Sequence, residues 1–191
     1  MRAMTTYTAF DGHRRIASGP LPLVAEQCKS LLDERPDSQP VVYDDSTGQS
    51  RDIDYRGSLR DVLARLPSPP ADVPVKRGPG RPRLGVVARE VTLLPRHWDW
   101  LAAQPGGASV ALRRLVETAS RESAPADRRR QMREAVDRVM FALAGDLPNY
   151  EEASRAFHRH EGTRFAELMV AWPDDVRGYV TTLATRAEGA E

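Results

Sequence analysis

Residues 76–85, KRGPGRPRLG, hold four cations, three glycines and two prolines, with no acid among them. Such a stretch has no apolar face to bury. Its local charge density attracts a polyanion even though the whole chain carries a formal charge of only +1. The other groups able to do chemistry are scattered. His158 and His160 in FHRHEG stand beside Glu161, but residues two apart on a helix point to different faces, so a two-histidine metal site is poorly served. Surface histidines are the expectation there, with no metal and no cofactor. Asp44-Asp45 reads as a turn rather than an acid/base pair. Cys28 is the only cysteine, which excludes an internal disulfide and a thiolate metal cluster, and its setting in LPLVAEQCKSLL fits a small buried apolar residue. The chain has no G-x-S-x-G elbow, Gly-rich phosphate loop or Walker pattern, so the residues point away from an enzyme.

The elements around the basic stretch separate by charge. Residues 1–75 carry 9 Lys and Arg against 11 Asp and Glu, a balance of −2. Residues 76–121 carry 9 cations against Glu90, Asp99 and Glu117, a balance of +6, and residues 122–191 carry 10 against 13, a balance of −3. Composition follows the same cuts and predicts an α+β chain in four parts: a small α+β domain over 1–66, a basic Pro/Gly linker over 67–85, a strand-helix-helix segment over 86–121 and a helical domain over 122–191. At 191 residues, 40% of them hydrophobic and 29% charged, the chain has the make-up of a globular protein. No apolar run nears the ~20 residues of a membrane span. The start, MRAMTTYTAFDGHRR, lacks the apolar core of a signal peptide, so a cytoplasmic location is expected.

In the first part, strand-like runs flank Asp11-Gly12, a pair suited to a tight hairpin turn. Leu21, Val24, Cys28 and Leu31 then recur at helical spacing. PVVYDD and SRDIDY read as a second strand pair, and Ser58 with Asp61 can cap a short helix bearing Leu59, Val62, Leu63 and Leu66. The order is ββαββα, an antiparallel sheet covered by two helices. The linker, PSPPADVPVKRGPGRPRLG, has six prolines and three glycines and can neither continue a helix nor pair as a central strand. After it comes a β-branched run to Leu94. Next is a helix from Pro95 with Trp98, Leu101 and Ala102, then a break at Gly106-Gly107, and then a helix N-capped by Ser109 with a stripe of Leu112, Leu115, Val116 and Ala119. A lone strand and two short helices cannot bury their own apolar faces, whereas a symmetric dimer can pair the two strand copies.

VTLLPRHWDWLAAQPGGASVALRRLV resembles the ribbon-helix-helix family of DNA-binding dimers, in which a strand ends in Leu-Pro and a Gly-containing turn leads into a Ser-x-x-Leu-Arg helix. The resemblance implies paired strands in the DNA major groove, read by alternate positions of residues 88–94, and a phosphate anchor at Ala108-Ser109-Val110. The strand register stays open: one choice turns Val91 and Leu93 outward, the other exposes Arg89 or Glu90. RGPGRPR is similar to the AT-hook, which implies an extended segment in the minor groove of A·T-rich DNA. Gly80 would approach the groove floor, Pro82 would hold the chain extended, Arg81 would enter the narrow groove, and Lys76, Arg77 and Arg83 would meet phosphates. Pro79 stands where the fuller motif has a cation.

The last part reads as a three- or four-helix bundle. Met132, Val136, Val139, Met140 and Leu143 form one stripe. Asn149 with Glu152 can cap the next helix, and further stripes contain Phe165, Leu168, Met169 and Trp172, then Val176, Tyr179, Val180 and Leu183. Arg128-Arg129-Arg130 reads as the solvated first turn of a helix. Over its full length the chain is similar to an uncharacterised bacterial family of unknown function, domain-of-unknown-function family 2239, through YTAFDGHRRIASGP, the segment from Arg77 to Val116, and FALAGDLPNYEEASRAF. That likeness assigns no activity. The residues together give the expectation of a homodimeric DNA-binding protein, a transcriptional regulator or nucleoid-associated factor, contacting DNA through residues 76–118. The alternative is a protein-interaction or assembly protein in which the strand-helix-helix segment only dimerises and the basic linker is a nonspecific tether.

Overall fold

A computed structural model describes residues 5–67, 87 and 89–189. The chain divides into two compact units, one made of residues 1–67 with 125–191 and the other of residues 68–124. The first unit is therefore discontinuous in sequence. Its N-terminal half holds β1 (Tyr7–Asp11), β2 (Arg14–Gly19), α1 (Leu21–Glu34), β3 (Pro40–Asp44), β4 (Ser50–Arg51) and α2 (Leu59–Arg65), the expected ββαββα order. The sheet is antiparallel, ordered β2-β1-β3-β4. Gly12 takes a left-handed φ of 57° in the β1–β2 turn, as the Asp-Gly pair requires. Ser58 and Asp61 form the reciprocal capping box at the start of α2. Of SRDIDY only Ser50 and Arg51 are strand; Ile53 and Tyr55 instead pack as side chains on the α1 face of the sheet.

Strand alternation distributes that sheet between two cores. Ala9 and Val42 are partners in the β1–β3 register and pack with Leu21, Val24 and Cys28 of α1. Phe10 and Tyr43, one residue on, belong to the opposite core, which they share with the C-terminal helices. Those helices are α4 (Gly107–Ala144, whose second half lies in this unit), α5 (Tyr150–His158), α6 (Gly162–Leu168) and α7 (Asp174–Glu188). Segments 1–66 and 122–191, set apart by composition, thus close over one another. Phe10 lies 5.4 Å from the Tyr179 ring and 6.4 Å from the Tyr43 ring, centroid to centroid. The buried Asp45 carboxylate accepts from the Tyr179 hydroxyl at 2.9 Å and from the Thr6 hydroxyl at 2.6 Å. Asp44 does form the expected turn, accepting from the Ser46 and Gly48 amides at 2.8 and 2.7 Å.

One expected boundary is absent. A break between a second short helix and the bundle was expected near residues 121–122, but α4 runs unbroken for 38 residues with Pro125 inside it. A proline there removes one donor and crowds the carbonyl four residues back. The helix tolerates it where the chain passes between its two units. Asn149 precedes α5 in the left-handed conformation, φ 63°, and its side chain makes no capping bond, donating instead toward the Leu168 carbonyl at 3.5 Å. Among the described residues no helix is long and apolar enough to cross a membrane.

Burial raises the phenol pKa values of Tyr43, Tyr55 and Tyr179, and for Tyr179 the neighbouring Asp45 charge adds to the effect. Deprotonation is then easier in the unfolded chain, whose tyrosines titrate near pH ~10. The stabilisation is complete below that pH and is lost as pH climbs above it, by up to about 1.4 kcal/mol per pH unit per tyrosine. Urea midpoints are expected to fall steeply between about pH 10 and 11.5, and less steeply in Tyr179→Phe. A parent midpoint that stays flat over that interval contradicts the burial assignment.

Candidate functional site

The residues expected to touch DNA belong to the second unit. Lys76, Arg77, Gly80, Arg81, Pro82 and Arg83 lie outside the described residues, as does Ala88 at the start of the expected strand. Arg89 is exposed, and among the described residues 89–94 form no strand and pair with none, so the expected strand is not seen there. Leu94 is extended and hands over to Pro95, the first residue of α3 (Pro95–Ala102), where a missing N–H costs nothing. Gly106 and Gly107 then take left-handed φ values of 84° and 74°, a sharp reversal that other residues adopt only under strain. At Gly106 a Cβ would also press on the Val110 side chain at 3.2 Å.

Ser109 differs from its expected role. Because the glycine turn itself starts α4 at Gly107, Ser109 is the helix's third residue rather than its N-cap. It is exposed, and its carbonyl accepts from Arg113 Nε at 3.1 Å. Arg96, Arg113, Arg114 and Arg121 are exposed too. The expected apolar stripes have almost nothing to pack on. Among residues 89–124 only Leu101 and Ala111 are buried, while Trp98, Trp100, Leu115 and Val116 are 41, 51, 45 and 61% exposed.

The first unit carries a different cluster. Past Pro125, α4 presents Arg129, Arg130, Arg133 and Asp137 along one side, at spacings of three and four residues, to a cavity of about 550 Å³. The end of α5 and the end of α7 complete its walls with His158, His160, Ala187 and Glu188, over the buried ring of Phe157. The histidine pair escaped the sequence argument because α5 stops at His158. His160 adopts a left-handed φ of 60°, so the two rings line one cavity instead of pointing to different faces. Arg133 stands 5.2 Å from the Phe157 ring and 2.7 Å from His160 Nε2, and donates to the carbonyls of Phe157 and His158 at 3.5 and 3.2 Å. It thereby satisfies the last carbonyls of α5. His158 Nε2 is 3.1 Å from Asp137 Oδ1, yet that buried oxygen makes no hydrogen bond of good geometry. Arg128-Arg129-Arg130 is accordingly not the first turn of a helix; it lies well inside α4, and two of its members line the cavity. Among the described residues no three His, Cys, Asp or Glu side chains are grouped to hold a metal.

A family model described as an uncharacterized protein conserved in bacteria (DUF2239) matches residues 6–184. No curated protein and no solved structure matches the chain.

Proposed function

The chain belongs to the DUF2239 family, and from its own residues we propose that it binds DNA as a dimer through residues 76–118, as a transcriptional regulator or nucleoid-associated factor. One observation carries the reading. The turn from α3 through Gly106 and Gly107 into α4 exposes Arg96, Arg113 and Arg114, and residues 95–124 bury no apolar side chains but Leu101 and Ala111. A helix pair with so small a core is incomplete alone. A second copy would cover its tryptophans and give residues 89–94, which end in an extended Leu94, a pairing partner. The first turn of α4 adds the N–H groups that any helix start leaves for an anion. Each copy also brings Lys76, Arg77, Arg81 and Arg83 on the preceding arm. The same exposed apolar side chains favour the second reading, an assembly protein in which this element only dimerises.

Salt separates the two. Neutralising phosphates releases counterions, so DNA affinity should fall linearly on a log-log plot against salt. Fluorescence anisotropy of labelled duplexes is expected to give such a line for the full chain. Arg113→Ala and Arg114→Ala should each flatten its slope by roughly one unit if each meets one phosphate. Arg81→Ala should also erase a preference for A·T-rich over G·C-rich duplexes, since groove narrowness depends on sequence. A dimer by light scattering that binds neither duplex at about 50 mM salt would leave the assembly reading standing and remove this one.

A further inference from the structure

We infer that the cavity between α4, α5 and α7 is a binding site for a small organic anion, a phosphate or carboxylate that also carries a hydroxyl or amino donor. The charge arrangement decides the sign of the ligand. Of the cations at the cavity, Arg130 is paired with Asp127 at 2.8 Å, but Arg129 and Arg133 have no carboxylate within ion-pair range among the described residues. Of the acids, Glu134 is held by Arg138 at 3.0 Å, Asp137 has the His158 ring 3.1 Å away, and the exposed Glu188 has no cation within ion-pair range among the described residues.

Arg133 is also fixed in place. Its guanidinium is held against the Phe157 ring, the His160 ring and two carbonyls, so little side-chain entropy is left to lose when an anion arrives. Two of the contacts it makes are to backbone carbonyls, which orient the charge without cancelling it. The left-handed His160 that completes this holder ends α5, its amide donating to the Phe157 carbonyl at 3.1 Å and that of Glu161 to the Ala156 carbonyl at 3.0 Å.

The second half of the ligand follows from Asp137. Its Oδ1 is sealed off beside His158, but the side chain as a whole is 37% exposed and lines the cavity, so the other carboxylate oxygen is open to a donor. A ligand hydroxyl or amine would satisfy it while the anionic group meets Arg129 and Arg133. The cavity, about 550 Å³, lies in the range of small-molecule sites.

Three probes test this on the full chain by isothermal titration: inorganic phosphate, glycerol 3-phosphate and malate. The expected result is saturable binding of glycerol 3-phosphate or malate in the millimolar range or tighter, with inorganic phosphate weaker because it leaves Asp137 unserved. Which of the two wins tells phosphate from carboxylate. Arg129→Gln, at an exposed position, should fold as the parent does and weaken binding about tenfold or more, as should Asp137→Ala. The inference is overturned if none of the probes saturates by 10 mM, a concentration well above roughly millimolar sites, or if Arg129→Gln binds them as tightly as the parent. DNA takes no part in these titrations, so their outcome is independent of the DNA reading.

Discussion

Phe10→Ala is expected to lower the stability of the first unit by about 3–5 kcal/mol and to do so for sheet and helices together. Phe10 is 1% exposed and touches the rings of both Tyr43 and Tyr179, so its removal leaves a void that neither the strand nor the bundle can close alone. Set against the ~5–15 kcal/mol that holds a typical domain, a loss of this size brings the unit near its unfolding threshold at 37 °C. Helix content by circular dichroism and amide exchange at β1 should report one shared transition, shifted equally in the variant. Two transitions, with helix content unmoved by the substitution, would mean that the sheet and the bundle have independent cores.

The next largest effect is expected at Gly48, and it separates two costs that glycine substitutions usually mix. Gly48 has φ 67°, and a Cβ there would stand 2.8 and 2.9 Å from the Ala135 Cα and carbonyl carbon of α4, and closer still to the carbonyl oxygen. These are backbone atoms of a helix and cannot rotate away. Gly12 shares the conformation, φ 57°, but a Cβ there meets nothing within 4 Å. Gly12→Ala therefore carries only the left-handed penalty of about 1–2 kcal/mol, while Gly48→Ala adds overpacking of about 1–3 kcal/mol. Denaturant midpoints should fall in that order. Equal losses at the two glycines would show that the β3–β4 turn does not rest on α4.

What could be read from sequence was local. The Asp11-Gly12 turn, the capping box of Ser58 and Asp61, and the α1 stripe through Cys28 each depend on residues within a few positions of one another, and all three are present. What was hidden depends on distant partners. Tyr43 in PVVYD looks like an outward residue of a one-sided sheet; only the arrival of Tyr179 and its neighbours makes that face a core. The boundary at 121–122 was drawn from a shift in charge, and α4 crosses it without a break, Pro125 included. His158 and His160 were separated by helical periodicity that ends between them. At Ser109 the residue type was right for a cap, but two left-handed glycines had already begun the helix. The arm from Lys76 to Arg83, the strongest chemical signal in the chain, lies outside the described residues.

The bond from Tyr179 to Asp45 spans 134 positions, and the one between Arg15 and Asp175 spans 160. A chain made in order at about 5–20 residues per second presents the sheet roughly 7–27 s before Tyr179 exists. During that interval Phe10 and Tyr43 stand on a nascent sheet while the helices that share their core are made one after another, and the Tyr179 ring is missing to the end of it. Loop closure over such distances slows folding, and an uncovered apolar sheet face is what chaperones bind and aggregates grow from. The whole second unit is translated inside this window. A ribosome paused in the helical segment would therefore hold out a protein able to finish α1 and α2, yet with its larger core still open.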